Sequence, residues 1–249
     1  MGAYDDPRVY EVAFGVDAAK QIDLILDLVR RHSKREVRKV LDVGCGPSPQ
    51  LLELARRGYG AVGLDISPRM LAHLAAKAVE EGLRIDTVEA DMVDFALPRS
   101  VDLVLCMMGT ISLVGSRGRM ASHLRSVAST LSPGGLYIAE NYRLGWSERE
   151  ESEPQTWEVE GDGLKVKTTY LPRLKDPVTH SLIEGLSLEV EEDGEKRTIT
   201  DEWESIFLSV EELDGILPKE LSLVGLFDHE SGEPMTEPNN FNYLLMRKA

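Results

Sequence analysis

Long apolar runs are missing from this sequence. No hydrophobic stretch in its 249 residues approaches the ~18 needed to cross a bilayer, so no membrane span is expected. The opening MGAYDDPRVYE has neither a basic start nor an apolar centre, so it does not read as a secretory signal. Cysteine is nearly absent. Cys45 and Cys106 fall at the ends of predicted buried strands, which points to reduced thiols in a cytoplasmic protein rather than a disulfide framework. His32, His73, His123, His180 and His229 are scattered without ligand spacing, so no metal site is expected. Side-chain amides are few (Asn141, Asn239, Asn240, Asn242, Gln21, Gln50 and Gln155), as heat tolerance favours. Positive charge is short as well: 28 Lys and Arg stand against 43 Asp and Glu, a net of −15. Residues 1–146 carry 18 charges of each sign, whereas residues 147–249 carry 10 basic and 25 acidic. The excess therefore lies wholly in the last part and marks a change of structural role near Trp146. The balance argues against nucleic acid as a partner, because a phosphate backbone needs a basic face. The one basic cluster, RRHSKREVRK at 30–39, reads as a solvated helix end that complements the helix dipole.

What is present is one strongly patterned stretch, VLDVGCGPSPQLLELARRGYGAVGLD at 40–65. Val40, Leu41 and Val43 form an apolar run ending in Gly44-Cys45-Gly46, as a buried parallel strand should. Ser48 suits a helix N-cap and Pro49 the first helical position. Leu51, Leu52, Leu54 and Ala55 give that helix its apolar face, and Gly58 and Gly60 end it. Ala61–Leu64 make a second buried strand that delivers Asp65 at its carboxyl end, 21 residues after Gly44. An acid about 20 residues beyond such a loop is placed to bind a ribose. A dinucleotide loop would want G-x-G-x-x-G, but Pro47, Ser48 and Pro49 follow Gly46, and Asp42 would face a pyrophosphate unfavourably. Asp42 suits a cofactor that presents an ammonium.

The acid-x-Gly-x-Gly run Asp42-Val43-Gly44-Cys45-Gly46 after a strand resembles the first motif of the class I S-adenosylmethionine-dependent methyltransferases, with Ser48 where a third glycine is common. The resemblance implies an α/β fold: a doubly wound, mostly parallel seven-stranded Rossmann-like sheet with an antiparallel last strand. It also implies S-adenosylmethionine as cofactor. Asp42 and Gly44 would meet the methionine ammonium, with Cys45 and Gly46 in the loop. Asp65, followed by Ile66, would accept the ribose hydroxyls. Asp91 and Met92, after a third strand at 84–89, would hold adenine, and Met107 would line an apolar wall beyond the fourth strand, Val101–Cys106. The lead-in Ser132-Pro133-Gly134-Gly135 to a fifth strand, Leu136–Glu140, is also frequent in that family, and its proline-then-glycine order suits a type II turn.

Elsewhere the pattern is local. Pro7 should break any early helix. From Asp17, Ile22, Ile25, Leu26 and Val29 keep helical spacing. After Asn141, residues 157–160, 164–170, 181–190 and 197–207 alternate apolar and polar, with Asp162-Gly163 and Asp193-Gly194 between them, as antiparallel hairpins do. A short helix from Ser209 and strands at 221–227 and 241–246 should complete the sheet. The chain thus divides as one methyltransferase domain: an N-terminal lid or terminal arm at 1–36, a cofactor-binding core at 37–141, a β-hairpin cap at 142–208, and a final helix and strand pair at 209–249. No general base is evident, and an amine acceptor needs none beyond its own deprotonation. Substrate-side candidates are Tyr4, Tyr10, Thr110, Asn141, Tyr142, Arg143, Trp146 and His180. The acidic hairpins would draw a cationic or neutral amine, although the same charge equally serves solubility. The leading expectation is methyl transfer to N or O of a small molecule. Its rivals are an NAD-dependent oxidoreductase, a non-catalytic S-adenosylmethionine-binding protein and a protein methyltransferase. The acceptor and the oligomeric state are left open.

Overall fold

The computed structural model describes residues 2–146, 153–237 and 239–249, so 147–152 of the expected cap, Met1 and Pro238 lie outside it. Seven strands form the central sheet: β1 (Lys39–Val43), β2 (Gly60–Asp65), β3 (Ile85–Glu89), β4 (Val101–Cys106), β5 (Leu131–Glu140), β10 (Leu221–Asp228) and β11 (Asn242–Lys248). Their order is β10-β11-β5-β4-β1-β2-β3. The pairs from β5 to β3 are parallel, and β11 runs antiparallel to both β5 and β10. Strand order reverses between β1 and β4, the place where open α/β sheets bind ligands beyond their carboxyl ends.

Alternate residues of each strand face opposite layers. Val40, Leu103 and Leu105 pack under α2 (Ala18–His32), α3 (Pro49–Arg56) and α4 (Pro68–Glu80). Leu41, Val104 and Cys106 pack under α5 (Arg117–Thr130) and the short α6 (Val210–Asp214). The helices start where side chains can satisfy orphan amides. Ser67, Ser116 and Ser209 cap α4, α5 and α6, and Glu212 completes a capping box with Ser209.

Two expectations are corrected. Pro7 does not break a helix but opens one, α1 (Pro7–Ala13). Asp6 accepts from Val9 N as N-cap, and proline is favoured at the first helical position because it has no amide to orphan. The fifth strand begins at Leu131, not Leu136. Val101 pairs with Leu131 and Leu103 with Leu136, so Ser132–Gly135 is a turn carried inside the strand, with Gly134 at φ 78°.

Between β5 and α6 lies a second, antiparallel sheet of β6 (Gln155–Gly161), β7 (Leu164–Asp176), β8 (Ser181–Glu192) and β9 (Glu195–Ile206). The hairpin tips fall where the sequence places them, with Asp162 and Asp193 at positive φ before glycines. Helix α1 buries Val9, Val12 and Ala13 against Leu164, Val166 and Leu188 of this sheet. Trp157 Nε1 donates to the carbonyl of Ala13 at 2.8 Å. Glu11, also on α1, reaches back to His73 (2.8 Å) and Lys77 (2.5 Å) of α4. The N-terminal arm therefore ties the cap sheet to the central domain. Among the described residues no helix is long and apolar enough to cross a membrane.

Candidate active site

A cavity of about 640 Å³ opens at the switch point between β1 and β4 and is roofed by the N-terminal arm. Its floor is the loop after β1. Gly44 and Gly46 take φ values of 64° and 53°, in the left-handed region that glycine adopts without strain. A Cβ on Gly46 would meet nothing within 4 Å, whereas one on Gly44 would lie 2.5 Å from Thr110 Cγ2. Gly44→Ala should therefore deform the loop, lower the melting temperature and abolish cofactor binding. A variant with the wild-type transition and affinity would show that the loop has room to spare.

Ser48 adopts φ 36° although it carries a side chain. Its hydroxyl donates to Asp42 Oδ2 at 2.7 Å and accepts from Leu51 N at 3.2 Å. This bond holds, with a serine, a turn that usually needs glycine. Asp42 is 1% exposed and does not line the cavity. Its Oδ1 is buried without a partner in the structure. Burial pushes its carboxyl up to about 7, against the Ser48 bond, and the charges of Asp65 and Glu140 add to the rise.

Asp65 ends β2 on the cavity wall. Its Oδ2 accepts from Gly46 N at 2.7 Å and its Oδ1 from Ser67 N at 2.8 Å, so it clamps both loops and keeps acceptor capacity on each oxygen. Ile66 beside it is 70% exposed, a large apolar side chain left bare on the cavity wall. Opposite, Asp91 accepts from Val93 N at 2.9 Å and pairs with Arg119 at 3.1 Å. Of the nine residues expected at the cofactor, Gly44, Cys45, Gly46, Asp65, Ile66, Asp91, Met92 and Met107 line the cavity; Asp42 stands behind it.

The substrate-side candidates divide. Tyr4, Tyr10 and Thr110 line the cavity. Burial raises both tyrosine hydroxyls well above their ordinary range. Arg143 instead donates to Tyr170 OH at 3.2 Å, on the cap sheet. Tyr142 is core, with its hydroxyl on the carbonyl of Leu208 (3.0 Å). Asn141 turns the chain at φ 51°, and Trp146 Nε1 is buried without a partner in the structure. His180 stacks on Phe207 and lies 3.3 Å from Glu212, away from the cavity.

Two buried networks escaped the sequence. Glu140, at the end of β5, accepts from Met108 N (2.8 Å), Gln21 Nε2 (2.5 Å) and Tyr243 OH (3.4 Å), and Gln50 Nε2 on the cavity wall donates to Gln21 Oε1 (2.8 Å). Burial raises its carboxyl above the ordinary range. This carboxylate fixes the Met108-Gly109 outlet of β4, where both residues have positive φ. His123 bridges the carbonyl of Met92 and Tyr137 OH, each at 2.8 Å, and burial pulls its imidazole down to about 4. A neutral ring thus holds Met92 from behind. Among the described residues no group of three or more His, Cys, Asp or Glu is arranged to hold a metal ion.

An open sheet in this order, with a glycine loop and an acid at the ends of β1 and β2, is the fold of the class I methyltransferases. It superposes on DesVI of Streptomyces venezuelae with a TM-score of 0.81 at 21% identity, covering 100% of this chain and 99% of that one. On the S-adenosylmethionine-bound CalS10, an amino pentose methyltransferase from Micromonospora echinaspora, the TM-score is 0.74 at 19% identity, covering 97% of each chain. Residues 40–135 match a family model described as a methyltransferase domain. One curated relative, a dTDP-3-amino-3,6-dideoxy-α-D-glucopyranose N,N-dimethyltransferase of Streptomyces fradiae, is 32% identical over 51% of this chain and 48% of its own length. The chain spans about half the length of the curated relatives it matches.

Proposed function

We propose that this protein is an S-adenosylmethionine-dependent methyltransferase acting on a nitrogen, or an oxygen, of a small molecule. The observation that carries this is Asp65, a carboxylate on the cavity wall in register with the Gly44–Gly46 loop and with acceptor capacity left on both oxygens. The residues present fit the cofactor. Asp65 would accept from the ribose hydroxyls, and Ile66 and Met92 would give the adenine apolar contact. Asp91 would take the exocyclic amine with the oxygen not committed to Arg119. Asp42 stands behind the loop with Oδ1 unpartnered among the described residues, and once ionised it would stabilise an ammonium held against Gly44.

S-adenosylmethionine supplies a methyl group on a sulfonium, which is its own leaving group. The chain's part is to position and to exclude water. Gly44, held against Thr110, sets the loop; Glu140 sets the β4 outlet; Tyr4, Tyr10 and Phe14 close the cavity from above. In this division residues 37–141 bind the cofactor, 142–208 cap the acceptor, 1–36 roof the cavity and 209–249 complete the sheet. Two reduced, buried cysteines fit a cytoplasmic setting. The amino-sugar methyltransferases among the relatives support an amine acceptor. A pyrophosphate over Asp42 would be repelled, which disfavours an NAD-dependent oxidoreductase. Calorimetric titration decides: S-adenosylmethionine and S-adenosylhomocysteine should bind and NAD should not. A preference for NAD would overturn the proposal.

A further inference from the structure

The inner face of the cap sheet has two halves. Along β8 the inward row reads Leu182, Glu184, Leu186, Leu188, Val190, and a single carboxylate interrupts it. The apolar half lies under α1. The other half is built around Glu184, which is only 8% exposed. Tyr170 OH donates to its Oε2 at 2.8 Å and Trp203 Nε1 to the same oxygen at 3.2 Å, while Ser205 OH donates to Oε1. Three residues from two strands converge on one carboxylate, and all three donors are uncharged. They orient the carboxylate, and among the described residues no cationic side chain pairs with it directly. Arg143 stands one hydroxyl away, on Tyr170. Asp201, on the same face, adds a second negative charge and is held by Ala3 N at 2.9 Å.

Tyr4 connects this group to the cavity. It lines the cavity wall, and its ring lies 5.7 Å from that of Trp203 and 5.5 Å from that of Tyr10. Beyond the cavity, one ring away, there is thus a carboxylate set among the aromatic side chains Tyr4, Tyr170 and Trp203. Both features attract a cation, the carboxylate by charge and the rings by their quadrupoles. An anionic acceptor would be repelled, and a neutral one would leave the carboxylate uncompensated.

We propose that Glu184, framed by Tyr4, Tyr170, Trp203 and Ser205, is the acceptor subsite and takes an amine as its ammonium ion. This rests on the methyltransferase function proposed above and names its acceptor class. Tyr4, which lines the cavity and lies beside Trp203, is the wall that the subsite shares with the cavity. Before attack the ammonium sheds one proton, and Glu184 is placed to take it. An N–H bond breaks, an O–H bond forms on the carboxylate, and the electron pair left on nitrogen is the nucleophile.

Cyclohexylamine and cyclohexanol, matched in shape and unlike in charge, are the probes. Each is titrated into wild type and Glu184→Gln saturated with S-adenosylhomocysteine. Wild type should bind the amine at least about tenfold more tightly than the alcohol, and the variant should lose that preference. Equal binding by wild type, or a preference unchanged in the variant, overturns the inference. A second measurement needs no variant of Glu184. The indole N–H resonance of Trp203, assigned by its absence in Trp203→Phe, should move with the amine and not with the alcohol; a resonance indifferent to both overturns the inference. If S-adenosylhomocysteine itself fails to bind, the methyltransferase function fails and the inference falls with it. If it binds and only the amine preference is missing, the methyltransferase function stands.

Discussion

Alanine at position 65 will weaken S-adenosylmethionine binding by about a hundredfold. A carboxylate accepting two ribose hydroxyls makes two charge-assisted hydrogen bonds, each contributing roughly 1.5–3 kcal/mol. Losing both removes at least about 3 kcal/mol, or two decades in Kd. Asp65 also clamps Gly46 N and Ser67 N, so Asp65→Ala frees two loop amides and lowers the melting temperature of the free protein as well. Asp65→Asn separates the roles. Its amide oxygen can keep one clamp, but its NH2 cannot accept, so affinity should fall to a value between wild type and alanine. Calorimetry on the three proteins, with melting curves beside it, reads both effects. Wild-type affinity in Asp65→Ala would remove the ribose acid, and with it the main support for the cofactor.

The same contrast explains how much of the molecule could be read in its sequence. The cavity wall beyond β1 and β2 was legible because few segments build it and each is tied to a backbone rule: a glycine with positive φ, a serine N-cap, an acid at a strand end. Eight of the nine residues expected at the cofactor therefore face one cavity. Pro7 was misread because proline both ends helices and starts them, and Asp6 before it carried the deciding signal. The network around Glu184 was less legible because its groups converge from distant strands. Alternation puts Tyr170, Glu184 and Trp203 on a face, but no local rule says that they meet. One signal was present: a glutamate in an otherwise leucine and valine row. Glu140 gave a similar one, a carboxylate that closes the apolar run Leu136–Ala139. In both cases a charge at a position the pattern reserves for the core marks a built polar network.

Asp42 makes the other large prediction, one of sign. Its carboxyl is raised from 3.8 to about 7 in the folded chain, chiefly by burial. Between those values the folded state holds a proton that the unfolded state has released. The group's contribution to stability is therefore full below pH 3.8 and is lost as pH rises through about 7, by something on the order of 4 kcal/mol. Asp42→Asn, which does not titrate, removes this dependence while its amide oxygen still accepts from Ser48. Urea unfolding from pH 5 to 8 should show wild type losing stability relative to the variant up to about pH 7 and then running parallel to it. Two parallel curves across the whole range would mean that Asp42 is ionised throughout. Cofactor binding is linked to the same proton. If an ammonium completes Oδ1, binding favours the ionised form, so below about pH 7 each cofactor bound should release up to one proton. Calorimetry in buffers of unlike ionisation enthalpy counts it. Zero release at pH 6, with normal affinity, would leave Asp42 as the residue that holds Ser48 in its turn and nothing more.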